Sequence, residues 1–209
     1  MCSIEEKMKN NSHAQDSCFR QGPSFVIWFT GLPGSGKSTI ADYLTQKFRN
    51  NSLPSCNIDG DELRKGLCSD LDFSFEGRKE NIRRAAFLSK MMMDAGMIVI
   101  TSTISPFESE RNQAKNIIGA EKFILAYIDC PLEICKARDP KGLYKKARQG
   151  KVKNFTGIND TYECPENPDI IIKSNEYSVE LCVEQIITSI GLTCNSELSM
   201  HIKVNNEST

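Results

Sequence analysis

Histidine is nearly missing from this 209-residue chain: only His13 and His201 occur, both in terminal segments. A histidine-built metal centre is therefore not expected. The nine cysteines are odd in number and include no C-x-x-C pair. That speaks against a zinc site or a disulfide framework and for free thiols in a reducing compartment. No apolar run approaches the roughly 20 residues needed to span a bilayer. The N-terminal stretch MCSIEEKMKNNSHAQDSCFRQG also lacks the apolar core of a secretory signal. A cytoplasmic setting without a membrane partner follows as the expectation, with an organelle lumen left open. Neither sign of charge dominates: 26 Lys and Arg stand against 27 Asp and Glu, a net charge of −1. The whole-chain basic footprint of a nucleic-acid binder is thus missing.

What is present suits one globular domain, with 39% hydrophobic and 25% charged residues. Residues 1–22 read as a flexible arm, 23–191 as the folded domain and 192–209 as a polar tail. SFVIWFT (24–30) is a continuous apolar run of the kind a fully buried parallel strand needs. A helix through Ile40, Leu44 and Phe48 follows a glycine-rich turn, and LPSCNID (53–59) is a second strand. From 76 to 95 the period is helical, with Ile82, Ala85, Ala86, Ser89, Met92 and Met93 on one face. Strands at 97–101, 123–129 and 169–173 alternate with helices at 108–118, after Pro131, and at 178–190. Alternation of this kind predicts an α/β fold, a three-layer sandwich with a parallel sheet covered on both faces; the glycine-rich turn GLPGSGKS after its first strand makes that sheet P-loop NTPase-type.

GLPGSGKS (31–38) fits G-x-x-x-x-G-K-[ST], directly after a strand and opening a helix. That context is what gives the pattern its meaning. The backbone of Gly31, Leu32, Pro33, Gly34, Ser35 and Gly36 would wrap the phosphates of ATP at a helix N-terminus. Lys37 would reach the β- and γ-phosphates, Ser38 would sit on Mg²⁺, and Thr39 continues the cradle. No N-K-x-D guanine motif occurs, so a small-molecule kinase is favoured over a GTP-reading switch.

Ligands of open parallel sheets gather beyond the carboxyl ends of the strands. The second strand delivers Asp59 and Asp61. Asp61, past Gly60, is the better candidate base and a candidate metal contact through water; Asp59 supports geometry. Arg64, Arg78 and Asn81 add donors, the last two sharing a helix face. The third strand delivers Ile104 and Ser105. Phe73 and Phe155 are aromatics in polar surroundings and offer stacking faces for a base.

GLPGSGKST, IDGDELRKGL, RKENIRR, ISP, RDPKGLYKKA and KNFTGI, in this order over about residues 24–190, resemble the adenylylsulfate kinase family. The resemblance implies Mg²⁺- and ATP-dependent phosphorylation of the 3′-hydroxyl of adenosine 5′-phosphosulfate (APS), giving 3′-phosphoadenosine 5′-phosphosulfate (PAPS) and ADP. Within it, Asp61 matches the carboxylate near the 3′-hydroxyl, and Arg64, Arg78 and Asn81 match the grip on the phosphosulfate. Phe73 and Phe155 match the pair around the substrate adenine, with Ile104, Ser105, Lys141, Leu143 and Asn154 completing the pocket. A homodimer is implied, as is an ATP sulfurylase on a separate chain that supplies the substrate. In the family the matching serine is often labelled a phosphoserine intermediate; direct in-line transfer is the physically simpler expectation for Ser105. Asp72 replaces the usual Gly before Phe73 and would weaken sulfate affinity if it pointed inward.

Residues 138–158 carry seven basic residues and one acid. With two nucleotides meeting in one site, this segment reads as a lid that neutralises phosphate and sulfate charge. Arg138 is the candidate contact on the ATP side. Two alternatives remain open at this stage: another small P-loop kinase acting on a sugar or nucleoside hydroxyl, and a nucleotide-holding module without transfer.

Overall fold

The computed structural model describes residues 22–150, 156–158, 160–194 and 200–202. All but Gly22 of the expected arm lies outside the described residues, as do Asn154, Phe155 and most of the expected tail. Five strands form one parallel sheet in the order β2-β3-β1-β4-β5. These are β1 (Val26–Thr30), β2 (Ser55–Asp59), β3 (Ile98–Ser102), β4 (Phe123–Asp129) and β5 (Ile170–Lys173). The helices are α1 (Lys37–Asn50), α2 (Gly60–Leu63), α3 (Phe75–Asp94), α4 (Glu108–Ile118), α5 (Leu132–Arg138), α6 (Leu143–Arg148) and α7 (Val179–Ser189). At the C-terminal end β6 (Leu192–Cys194) pairs antiparallel with β7 (Met200–Ile202), where the sequence suggested only a polar tail.

The apolar runs are continuous because both faces of the sheet are covered. On β1 successive side chains point to opposite faces. Ile27 and Phe29 pack with Ile40, Leu44 and Phe48 of α1 and with Val183 and Ile186 of α7. Val26 and Trp28 pack on the other side with Ile82 and Ala86 of α3 and Ala114 of α4. One expectation needs correcting: Met92 is 37% exposed, whereas Ile82, Ala85, Ala86, Ser89 and Met93 are buried. At 100° per residue, Met92 lies at the edge of the stripe that Met93 and Ser89 occupy. Helix α3 begins where Ser74 Oγ accepts from Gly77 N at 3.0 Å. Its end is followed by Gly96 at φ +88°, a conformation glycine adopts at no steric cost.

This packing brings the carboxyl ends of β1, β2, β3 and β4 to one edge, above which the loops carry the polar chemistry. Phe48, fully buried at the end of α1, is a fair gauge of the core that holds that edge. Phe48→Ala is expected to cost about 3–5 kcal/mol, the usual range for emptying a buried phenylalanine site. Chemical denaturation followed by circular dichroism checks this, with the midpoint falling and the slope unchanged.

Candidate active site

The loop between β1 and α1 has little freedom to carry side chains. Gly31 sits at φ +150°, and a Cβ there would lie 2.5 Å from the Ile128 carbonyl oxygen. Gly34 sits at φ +77° with the Cys135 carbonyl 3.0 Å from the same imagined atom. A chain of L side chains could not follow this path, so the loop's backbone amides stay uncovered. Lys37 turns back over the loop: its Nζ donates to the carbonyls of Gly31 (2.9 Å) and Leu32 (2.8 Å) and to Ser35 Oγ at 3.4 Å. Burial pulls its pKa down to about 8, against the opposing pull of Cys135, Asp61 and Asp59. Ser174, just past β5, ties the loop from the other side, donating from Oγ to the Ser35 carbonyl at 2.6 Å. Arg138 donates to the Ser174 carbonyl at 2.9 Å and approaches Gly36, which sets it beside the loop.

Across the cleft the two aspartates at the end of β2 divide their work. Asp59 caps α2 by accepting from the Asp61 and Glu62 amides, and its other oxygen accepts from Ser38 Oγ at 2.6 Å. The carboxylate in contact with the loop hydroxyl is therefore Asp59. Asp61 instead pairs with Lys141, whose pKa that hydrogen bond raises. More than half of each of these two side chains is exposed to solvent, so the pair is open to exchange.

The wall expected to grip an anion is only partly free. Arg64 donates to the carbonyls of Leu71 and Asp72 and lies over the Phe73 ring, 4.4 Å from its centroid. Phe73 is otherwise 65% exposed and presents its other face outward. Asp72 is turned to the start of α3, where Oδ1 accepts from Ser74 N and Oγ. Arg78 pairs with Asp160 and reaches Thr156 Oγ1 at 3.5 Å, fastening the segment that follows the basic run. Asn81 is buried, yet its Oδ1 finds no hydrogen-bond partner, and the same holds for Thr103 Oγ1 and Ser102 Oγ at the end of β3. Buried polar groups left without partners are costly, and a bound ligand is one way to satisfy them.

Ser105 adopts φ +35°, unusual for a residue with a side chain, and is 1% exposed. Trp28 Nε1 donates to its Oγ at 3.2 Å, and its carbonyl accepts from Arg111 at 2.8 Å. Thr30 Oγ1 donates to the Ile104 carbonyl at 2.7 Å and lies 3.0 Å from Tyr162 OH. Leu143 packs into a small cluster with Cys130, Cys135 and Tyr144. Tyr144, which sequence reasoning passed over inside its own motif, donates from OH to the Pro33 carbonyl at 2.9 Å. Trp28, Thr30, Arg111, Tyr162 and Ser174 were missed as well. A serine directly after the last parallel strand was the one readable signal, because that strand's carboxyl end points to the same edge.

A glycine-rich loop on a parallel strand, a lysine folded over it, and an aspartate-bearing strand end opposite define a P-loop kinase. The adenylylsulphate kinase profile matches residues 23–173. An adenylyl-sulfate kinase of Clostridium acetobutylicum is 52% identical over 162 residues, 78% of this chain and 80% of that one. Its counterpart in Thermodesulfovibrio yellowstonii is 53% identical over 160 residues, covering 76% and 80%. Among solved structures, the Mycobacterium tuberculosis APS kinase CysC in complex with AMPPNP and APS superposes with a TM-score of 0.77 at 38% identity, covering 80% of this chain and 98% of that one. This chain belongs to the adenylylsulfate kinase family.

The state of Lys37 makes a pH prediction. Free, it loses its proton near pH 8; with phosphates beside it, the charged form is favoured and the pKa rises. Nucleoside triphosphate binding is expected to take up a proton between pH 8 and 10, and affinity to fall as pH rises through that window. The sign for folding runs the other way. Above pH 8 the folded chain has released a proton that the unfolded chain still holds, so stability from this group increases. Calorimetry in buffers of different ionisation enthalpy should give about half a proton or more at pH 8.5. Uptake should vanish in Lys37→Arg, which stays charged throughout.

Proposed function

We propose that this chain transfers the γ-phosphoryl group of ATP to the 3′-hydroxyl of APS, yielding PAPS and ADP. The observation that carries this reading is the placement of Asp61 across from Lys37, near enough for its charge to act on the buried ammonium. A hydroxyl held between them would have a base on one side and the phosphates on the other. In-line transfer needs little more from the protein than positioning and charge stabilisation.

Each side chain then has a role. The amides of Gly34 to Thr39 and Lys37 hold the β- and γ-phosphates, with Arg138 as the additional cation on that side. Asp61 accepts the proton of the 3′-hydroxyl once Lys141 moves from it to the substrate. Arg64, Arg78 and Asn81 bind the phosphosulfate, with Arg78 exchanging Asp160 for the anion. Phe73 stacks on the adenine, with Phe155 proposed for its other face and Asn154 beside it. Ile104, Ser105 and Leu143 shape the wall. The hold of Trp28 on Ser105 Oγ suits a wall residue better than a nucleophile, which favours direct transfer over a phosphoserine relay.

Mg²⁺ fits the residues present. It takes oxygen ligands and usually binds one or two protein groups beside substrate phosphates and water. Ser38 Oγ and Asp59 Oδ2, 2.6 Å apart at the mouth of the loop, are such a pair, with Asp61 as a further contact through water. The ion supplies charge neutralisation at the transferring group. The same reading includes a homodimer, a cytoplasmic setting and a separate ATP sulfurylase as the source of APS.

Incubation with Mg·ATP and APS should yield ADP and PAPS, resolved by chromatography. Turnover of gluconate, shikimate or nucleosides without turnover of APS would replace this reading by the sugar- or nucleoside-kinase alternative. Asp61→Ala is expected to lower kcat by about 10²–10⁴-fold, the range for a general base, while ATP affinity stays within error. Unchanged turnover would remove the base assignment. Asp59→Asn should raise the Mg²⁺ concentration needed for half-maximal rate.

A further inference from the structure

The loop that carries Lys37 shows an alternation that its glycine pattern alone does not explain. The Ser35 N–H turns back to the Leu32 carbonyl at 3.1 Å. On either side of it, the N–H groups of Gly34 and Gly36 meet no acceptor among the described residues. Each of these two amides shares a peptide unit with a carbonyl that is held from outside the loop. Tyr144 of α6 donates from its OH to the Pro33 carbonyl at 2.9 Å, across 111 positions. Ser174 donates from Oγ to the Ser35 carbonyl at 2.6 Å, across 139 positions.

The peptide unit is planar, and in its trans form the C=O and the following N–H point in opposite directions. No described peptide bond is cis. A donor that fixes the carbonyl of residue 33 therefore fixes the amide of Gly34, and one that fixes the carbonyl of residue 35 fixes the amide of Gly36. Both amides are turned away from Tyr144 and Ser174. Glycine cannot supply this constraint itself. Gly34 and Gly36 stand at φ +77° and +98°, and without a Cβ the backbone at these positions is free to rotate either way. The two hydroxyls remove that freedom where it is greatest.

Both donors are themselves anchored. Tyr144 is 1% exposed and packs among Cys130, Cys135 and Leu132, and its own N–H donates to Asp139 Oδ1 at 3.0 Å. Burial pushes its phenol well above the ordinary range, so the hydroxyl keeps the proton that it donates. Ser174 is 8% exposed, and its N–H donates to the Asp129 carbonyl at 3.0 Å, which ties it to the end of β4.

We propose that Tyr144 and Ser174 are positioning residues for the phosphates of ATP, Tyr144 orienting the Gly34 amide through the Pro33 carbonyl and Ser174 orienting the Gly36 amide through the Ser35 carbonyl. Their hydroxyls act through the loop and not by contact with the nucleotide. Amides aimed in advance at an anion need no rearrangement when it arrives. The inference rests on the reading of this loop as the phosphate cradle and needs nothing from the choice of acceptor. It also links the cradle to the basic segment: Tyr144 lies three residues after Lys141, which reaches Asp61 across the cleft.

Tyr144→Phe and Ser174→Ala each delete one hydroxyl. Calorimetry with a non-hydrolysable ATP analogue should show the dissociation constant rising about 3- to 10-fold in each, the weight of one hydrogen bond. Inorganic tripolyphosphate should lose affinity by the same factor, and the KM for APS should stay within error. Ser174→Thr and Ser174→Val have the same shape and differ only in the hydroxyl, so Thr should bind the analogue more tightly than Val by that factor, however the added methyl is accommodated. Amide NMR spectra supply a readout that general loosening of the fold does not reproduce. The Gly34 resonance should move most in Tyr144→Phe, and the Gly36 resonance most in Ser174→Ala. Variants that bind the analogue as the wild type does would overturn the proposal. So would equal affinities of the Thr and Val variants, or weakened binding with both glycine amides unmoved. A wild type that takes up no analogue would instead remove the reading of the loop itself, and this inference with it.

Discussion

A buried ammonium with no carboxylate in contact sets the terms for the rest of the cleft. Lys37 leans on two carbonyls and a hydroxyl of its own loop, partners that solvate it without cancelling its charge. That arrangement is stable enough to exist and incomplete enough to want an anion. The loop keeps it so by geometry: the contacts of Gly31 with the Ile128 carbonyl and of Gly34 with the Cys135 carbonyl leave no room for a side chain that could fill the cradle. Ser174 and Tyr144 then brace the loop from β5 and α6, through Ser35 and Pro33. Two separate parts of the chain thus hold the loop from outside it.

Around this fixed point the remaining charges are paired in ways that a substrate can exchange. Lys141 lies on Asp61, and Arg78 lies on Asp160. Both pairs join the basic segment, or the residues that follow it, to the opposite wall of the cleft. In the proposed reaction, a phosphosulfate entering between them would give both cations a new partner and free both carboxylates. The two pairs differ in depth: Lys141 and Asp61 are exposed, whereas Arg78 and Asp160 are 16% and 21% accessible. Exchange at the shallow pair costs little. At the deeper pair it must be repaid by the incoming anion, which gives that position more influence over which ligand is accepted.

Much of this was legible in the sequence because its signals are local. The continuous apolar run of β1, the glycine pattern of the loop and the 3.6-residue period of α3 each specify an element without reference to distant residues. Asp59 and Asp61 could be placed by the rule that ligands gather at strand ends, but their division of labour could not. It depends on which oxygen meets Ser38, 21 positions away, and which meets Lys141, 80 positions away. The same holds for Trp28. As a strand residue it reads as core, and its indole does pack there, yet its N–H crosses 77 positions to Ser105. Met92 was misjudged because a helical stripe has edges that a period alone does not locate.

Ser105 ties these observations together. A residue with a side chain at φ +35° is strained, by roughly 1–3 kcal/mol for such conformations, and persists only when its surroundings over-determine it. Here Trp28, Arg111 and Thr30 all hold it, and Thr30 is in turn met by Tyr162 from beyond the basic segment. Strain distributed in this way fixes the peptide between Ile104 and Ser105 rather than freeing the hydroxyl. The serine is therefore held at this edge of the sheet through its backbone as much as through its hydroxyl, with the Ile104 carbonyl beside it accepting from Thr30.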